Sequence, residues 1–429
     1  MKEITRDIYL KQLIDGQGDG FIKVITGIRR CGKSYLLDPI FKNYLLASGV
    51  SEDHIIHANL ESDEFSELLL PHKLTEFVKD KIVDDGQYYL LLDEIQLAPN
   101  FVPILNGFLH IPNLDVYVTG SNSKFLSSDI ATEFRGRSNE IHMYPLSFAE
   151  FMTAYDGDRE HGWIDYYRFG GLPQIFTRKD EQSKMSFLDS QWRNIYLNDV
   201  IERYGIKNTA ELNTLVEIIS SSTGSLTNPY KLERSFKSIA KVDLDHNTIN
   251  SYLGKLEEAF IIEKVKRFDV KGKKYINTPA KYYFADPGIR NSCVGFRQVE
   301  ENHIMENVIY TELKRRGYRV DIGIVELRDE KQSRKQLEVD FVATSGDRTY
   351  YIQSALSIAD SAKREQEARP LADIDDHFTK IIIAKDANFA GHEKNGIVVL
   401  GLLDFLLDFN FLDNYPSAVY NFCLFWQNL

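Results

Sequence analysis

Cysteine is scarce in this chain. Three residues in 429, Cys31, Cys293 and Cys423, stand far apart, form no CxxC pair and lie beside no histidine cluster. That spacing excludes a disulfide framework and offers no zinc site, and it suits a reducing cytoplasm. Positive charge is not in surplus either. Lys and Arg number 51 against 63 Asp and Glu, for a formal net charge of −12, so contact with nucleic acid would need a local basic face. Long apolar runs are missing. The opening MKEITRDIYLKQLIDGQ is too charged for a signal peptide, and GLLDFLLDFNFL is broken by Asp404 and Asp408, so no membrane segment is expected. Neither an internal repeat nor a low-complexity linker occurs. No NKxD motif is present, which argues against a guanine-reading GTPase. What the chain does have is 43% apolar residues, enough for the separate cores of two to four domains.

From Phe21 to about Ser147, short apolar runs alternate with stretches of helical period: FIKVITG, IIHANLE, YYLLLDE, LDVYVTGS and EIHMYPLS. Five strands alternating with helices predict a parallel, doubly wound α/β sheet. The first run leads into Gly27-Ile28-Arg29-Arg30-Cys31-Gly32-Lys33-Ser34, followed by Tyr35 and a helical pattern. A strand before and a helix after are the context a phosphate-binding loop requires. Successive N–H groups of such a turn cradle phosphates, aided by the helix N-terminus. Lys33 would reach the β- and γ-phosphates, and the Ser34 hydroxyl would ligate Mg²⁺.

Hydrolysis needs two further groups, an acid for the metal and one that positions water. YYLLLDE supplies Asp93 for Mg²⁺ and Glu94 for the water, and a hydrolytic base there disfavours a small-molecule kinase. The next strand ends in Thr119, Ser121, Asn122 and Ser123, which either meet the γ-phosphate and attacking water or cap the following helix. Arg135 and Arg137 precede the fifth strand. One of them would stabilise phosphoryl charge in a neighbouring subunit's site, implying a homo-oligomer; the alternative is a pair of solvated arginines.

The order GIRRCGKS, LLLDEIQ, VTGSNS, FRGR, YPLSFAEF and FGGLPQ, continuing through VIERYGIKN, KYYFADPGIR and EVDFVA, resembles a widespread family of bacterial and archaeal AAA+ ATPases over nearly the whole chain. The resemblance implies a P-loop AAA+ domain at 1–148, a helical lid or linker at 149–208, a winged helix-turn-helix at 209–293 and a restriction-endonuclease-like α/β domain at 294–429. It also implies ATP and Mg²⁺ as cofactors, Ser121 or Asn122 as the γ-phosphate sensor, and Arg137 as the better arginine finger.

The residues of the last two segments can be read independently. Three helical segments and a β-like pair from Thr209 onward follow winged-helix order. DHNTINSYLGKLEEA would be the recognition helix, capped near Asp245 or Asn247. From Glu263 to Lys281 seven basic residues, Lys264, Lys266, Arg267, Lys271, Lys273, Lys274 and Lys281, face two acids, Glu263 and Asp269. That hairpin would meet DNA phosphates, or else the segment is a protein-binding module. In the last segment Glu306, Asp340 and Gln353 take nuclease-like positions, but the lysine position holds Ala355, with Lys363 and Arg364 as the only nearby cations. Two carboxylates without a lysine predict a degenerate site kept for DNA binding or as a scaffold. The expected function is an Mg-dependent ATPase that engages or remodels DNA. Its rivals are a nucleotide-gated switch for protein partners and an ATP-regulated nuclease.

Overall fold

The structure, a computed structural model, describes residues 3–120, 134, 136–240, 244–297, 299–328, 334–387, 391–392 and 396–415. Ser121, Asn122, Ser123 and Arg135 therefore lie outside the described residues. The chain divides into two compact units, Met1–Pro145 with Glu258–Phe260, and Leu146–Glu257 with Ile261–Leu429.

In the first unit the five apolar runs become β1 (Ile22–Thr26), β2 (Ile55–Asn59), β3 (Tyr88–Asp93), β4 (Leu114–Thr119) and β5 (Ser138–His142). All pair in parallel, in the order β2-β3-β4-β1-β5. Parallel sheets must be covered on both faces. Even-numbered residues such as Val24, Leu90, Leu92, Val116 and Val118 join Leu74 and Val78 of α4 (Lys73–Lys81) and Val102, Leu105 and Phe108 of α5 (Phe101–Phe108) in one core. On the other face the Phe41 ring lies 4.6 Å from that of Tyr117, whose hydroxyl oxygen is 3.5 Å from the Leu13 carbonyl oxygen in α1 (Asp7–Asp15). The helix after β1 runs as α2 (Lys33–Tyr35), a π-type stretch Leu36–Phe41 and α3 (Lys42–Ala47). At the N-terminal edge of the sheet, fully buried Lys23 is ion-paired with Asp115, whose other oxygen accepts from the Tyr117 hydroxyl at 2.8 Å. That pair is internally neutralised, as a buried charge must be.

The second unit begins with α6 (Phe148–Ala154), α7 (Arg159–Phe169), α8 (Glu181–Gln191) and α9 (Asn198–Tyr204), followed by α10 (Thr209–Ser221), α11 (Pro229–Ser235) and α12 (His246–Glu258). The hairpin β6 (Ile262–Asp269) and β7 (Lys274–Phe284) comes next, then α13 (Pro287–Cys293) and α14 (Glu301–Arg315). The chain continues through β8 (Arg319–Arg328), β9 (Arg334–Ser345), β10 (Arg348–Ala355), α15 (Ser361–Ala372), β11 (Thr379–Ala384), β12 (Gly391–His392), β13 (Val398–Gly401) and α16 (Leu402–Leu407). The sheet order is β12-β13-β11-β10-β9-β8-β6-β7. The hairpin expected as a wing is thus also the edge of the C-terminal sheet, through parallel pairing of Arg267–Asp269 with Ile322–Ile324. One sheet face packs Val325, Val339, Tyr351 and Ile382 against Leu371 of α15. Among the described residues no helix is long and apolar enough to cross a membrane.

Two family motifs meet inside this unit. Helix α7 ends at Phe169, and Gly170 adopts φ +76, where a Cβ would stand 2.1 Å from Asp286 Oδ1. Asp286, 1% exposed, accepts from the N–H groups of Gly171 (2.7 Å) and Ile289 (3.0 Å). Burial pushes its carboxyl up to about 6 despite those donors. FGGLPQ and ADPG therefore form a packing joint.

Candidate nucleotide site

The sheet order puts β1 between β4 and β5, with β4 separating β1 from β3. Strand order reverses beside β1, and ligands of open α/β sheets bind at the carboxyl ends of strands at such a point. Gly27 leaves β1 at φ +140, and a Cβ there would stand 2.1 Å from the Met143 carbonyl oxygen. Only glycine fits that approach. Arg30 (φ +63) and Gly32 (φ +107) are also left-handed, so the loop folds into a nest of N–H groups ahead of α2. Lys33 is 4% exposed, and its ammonium donates to the carbonyls of Gly27 (3.1 Å) and Ile28 (3.2 Å). Both acceptors belong to its own loop, which leaves a third N–H for an anion. Cys31 is buried beneath the loop, while Ser34 and Tyr35 are exposed.

Asp93, 3% exposed, ends β3, level with Thr119 on the adjoining β4. The Thr119 hydroxyl donates to Asp93 Oδ1 and accepts from the Glu94 backbone N–H at 2.9 Å. One buried hydroxyl thereby fixes the Asp93 carboxylate and the turn that carries Glu94. The sequence groups Thr119 with Ser121, Asn122 and Ser123 as facing the phosphate or capping a helix; its hydroxyl instead braces the strand end. Glu94 sits in the left-handed region at φ +55, a conformation costing on the order of 1 kcal/mol for a residue with a Cβ. Its carboxylate accepts from the Gln96 side chain.

Arg137 is exposed and immediately precedes β5; its carbonyl accepts from the Ile22 N–H at 3.0 Å. It therefore lies at the amino edge of the sheet, a five-residue strand or about 17 Å from Gly27. It cannot serve the loop of its own subunit.

The second unit holds a cluster that pattern reading does not find. Lys281, 2% exposed on β7, places Nζ 2.7 Å from Glu306 Oε1, 2.7 Å from Glu338 Oε1 and 3.9 Å from Asp340 Oδ1. The Tyr283 hydroxyl donates to Glu306 Oε1 at 2.5 Å, and Asp340 Oδ2 accepts from Ser354 N–H (2.8 Å) and Oγ (2.9 Å). Gln353 accepts from the Asp340 N–H at 3.4 Å. Burial pushes the Glu306 carboxyl up to about 7 against the pull of Lys281. Burial also tends to lower the Lys281 ammonium, but Glu306, Asp340 and Glu338 outweigh it and hold it above the usual lysine range. Two corrections follow. A lysine does stand among the nuclease-like acids, supplied by β7 rather than by position 355 or by Lys363 and Arg364. Lys281 is also lost to the basic hairpin, as is Arg267, whose guanidinium donates to the carbonyls of Pro279 (3.0 Å) and Thr278 (2.7 Å). Lys266, Lys271, Lys273 and Lys274 remain exposed.

Loop, sheet order and braced acid define a P-loop α/β core of the AAA+ type, and residues 19–152 match the AAA domain family. Residues 160–300 match a domain of unknown function, DUF8612. An uncharacterized protein of Haemophilus influenzae is 34% identical over 410 residues, covering 94% of this chain and 98% of its own length. An uncharacterized protein of Methanocaldococcus jannaschii is 30% identical over 411 residues, covering 90% and 86%. The chain belongs to the family these proteins represent. Among solved structures, the Aeropyrum pernix ORC1 protein in complex with DNA is 10% identical, covers 68% of this chain and 92% of its own, and has a TM-score of 0.31. C. elegans PCH-2 is 13% identical, with coverages of 59% and 67% and a TM-score of 0.26.

Proposed function

We propose that the protein is an Mg²⁺-dependent ATPase whose nucleotide cycle governs engagement of DNA. The observation that carries the reading is Thr119 fixing Asp93 at the strand end two places from the phosphate loop. The chain's groups fit the nucleotide. The nest from Gly27 to Ser34 supplies N–H donors, and buried Lys33 supplies a cation bonded to loop carbonyls rather than to an acid. Ser34 Oγ and Asp93 hold the metal, which when bound neutralises charge on the phosphates. Glu94 orients and deprotonates water; Ser121 or Asn122 senses the γ-phosphate. Arg137, remote from its own loop, acts on the nucleotide of an adjacent copy, so the working form is a homo-oligomer.

The DNA-engaging part of the proposal rests on 209–293 as a winged helix. Its support is the order α10, α11, α12, β6, β7 together with the antiparallel bridge of Thr227, between α10 and α11, to Ala280 on β7 (2.8 and 2.9 Å). Asp245 caps α12, accepting from Asn247 N–H at 2.8 Å. Four exposed lysines on the hairpin face solvent. Lys281, from the 209–293 hairpin, pairs with Glu306 and Asp340 of the 294–429 domain, carboxylates that a nuclease would use for metal, which favours a binding or scaffold role over cleavage.

The test is ATP turnover and calorimetric ATP binding by wild type, Lys33→Ala and Glu94→Gln. Lys33→Ala should lose tight binding, because Lys33 meets phosphate in the ground state. Glu94→Gln should bind normally and lose turnover. Equal loss of affinity in both variants would remove Glu94 from its role.

A further inference from the structure

The turn that ends α12 breaks a local rule. The Ile261 N–H donates back to the Leu256 carbonyl at 3.0 Å, the bond that closes a helix through a left-handed residue, and that residue is Phe260 at φ +56. Glycine usually takes this place, because a Cβ is strained there. Phe260 is 7% exposed. A bulky side chain persists in such a conformation where its surroundings hold it, and the surroundings of Phe260 are those of the phosphate loop. Glu258–Phe260 fall within the first unit, although the chain on either side of them belongs to the second. The Phe260 ring lies 4.7 Å from the ring of His142, the last residue of β5, and His142 lies 4.7 Å from the Tyr144 ring as well.

From His142 the path to the loop is one residue long. His142 stands in register with Thr26, the last residue of β1, and its Nδ1 is 3.1 Å from Thr26 Oγ1. Met143 donates its N–H to the Thr26 carbonyl at 2.8 Å. Its own carbonyl lies so close to Gly27 that no Cβ fits, and its Cε is 3.4 Å from the place that a Cβ would take on Gly32. Residues 142 and 143 are therefore the bed on which both glycines of the loop rest. An interior packed at this density passes a shift on rather than absorbing it, so a loop that tightens around phosphates moves its bed. At the other end of the path, Phe260 comes two residues after α12 and two before β6, the helix and hairpin on which the DNA reading rests.

We propose that Phe260 relays the state of the phosphate loop to the turn between α12 and β6, so that nucleotide and duplex DNA change each other's affinity through this ring. The inference rests on the reading of the chain as a nucleotide-governed DNA binder and supplies its route, a contiguous run of packed side chains and hydrogen bonds. The full chain is titrated with a labelled duplex by fluorescence anisotropy, with and without Mg²⁺ and a slowly hydrolysed ATP analogue, and the analogue is titrated by calorimetry with and without duplex. In wild type the analogue should change duplex affinity about fivefold or more, and the duplex should change analogue affinity by the same factor. Phe260→Gly removes the ring and gives the left-handed position the residue that adopts it freely. It should fold, bind the analogue alone as wild type does, and bring both factors close to one. His142→Ala, at a half-buried position on the other side of the contact, should do the same. If wild type shows the coupling and a folded variant of either kind keeps it, the ring is no relay, and the inference falls while the DNA reading stands. If both variants lose the analogue even without DNA, the two rings support the loop instead of relaying its state, and the inference falls again. A wild type that binds no duplex, or whose duplex affinity ignores the analogue, removes the DNA reading and the inference together.

Discussion

Replacing Lys281 with Met tests the buried cluster most sharply. Met keeps the length of the side chain and removes the charge, so the packing change is small and the electrostatic change is whole. In wild type one ammonium lies 2.7 Å from each of two carboxylates and 3.9 Å from a third. Removing one partner of a buried pair costs about 3–5 kcal/mol, because the remaining charge stays uncompensated. The dependence on pH gives the sign. Lys281 has its folded value raised, so its contribution is complete below the unfolded lysine value and constant from pH 6 to 8. Glu306 is the group that titrates there: its folded value is raised to about 7. Ionising it in the folded state is unfavourable, so stability falls as pH rises from the unfolded value near 4.5 through 7 and then levels. Without Lys281, which pulls Glu306 down, the fall must extend to higher pH. The gap between wild type and variant should therefore widen from pH 6 to pH 8, by up to about 1.4 kcal/mol when the variant's Glu306 is displaced by a unit or more. Trp163 and Trp192 are buried in the second unit, so urea unfolding is followed there by tryptophan fluorescence. A cost below about 1 kcal/mol, or a gap that is the same at both pH values, would refute the reasoning.

Thr119→Val keeps the β-branched shape and deletes the hydroxyl shared by Asp93 and the Glu94 N–H. It should lower kcat by at least tenfold and cost about 1–3 kcal/mol of stability in thermal unfolding; unchanged turnover would show that the brace is dispensable. Mixing Arg137→Ala with Lys33→Ala should restore part of the ATPase activity that each lacks alone, since Arg137 is a strand length from its own loop; mixtures no more active than the sum of the parts would remove the trans role. Charge reversal of Lys271, Lys273 and Lys274 should flatten the slope of log affinity for duplex DNA against log salt by about 0.9 for each phosphate that the hairpin ceases to neutralise. Identical affinities at low salt would instead mark the hairpin as no part of a DNA face.

The first unit is largely legible in the sequence. Its inner strands β1, β3 and β4 are buried on both faces, so each reads as a nearly continuous β-branched or leucine run, whereas the edge strand β5, SNEIH, is half exposed. Gly27, Lys33, Asp93 and Glu94 are readable because local chain geometry alone brings them to the carboxyl edge of the sheet. Thr119 is visible too, but its task is not. A threonine closing an apolar strand looks the same whether its hydroxyl faces a ligand or a neighbouring strand, and only the order β3-β4-β1, which places it beside Asp93, separates the two.

Lys281 escapes a sequence reading for a different reason. Counting charge from Glu263 to Lys281 treats the hairpin as uniformly exposed, yet β7 changes environment midway: 274–279 are mostly exposed and 280–284 are buried. The signal is present in AKYYFAD, where a lysine opens a run of apolar residues that ends in a buried acid. A charge at the start of such a run needs an opposite charge nearby, and the acids that answer it lie on α14 and β9, 25 to 59 residues further on. Glycines 170 and 171 show the same limit. A break after an aromatic helix suggests a linker, while the joint they form depends on Asp286, more than a hundred residues away. Charge pairing across such separations is fixed by tertiary packing, and the energetic penalty for a lone buried ion is what makes it inferable. A lysine that periodicity places in a core therefore predicts an acidic partner even before the fold that supplies it is known.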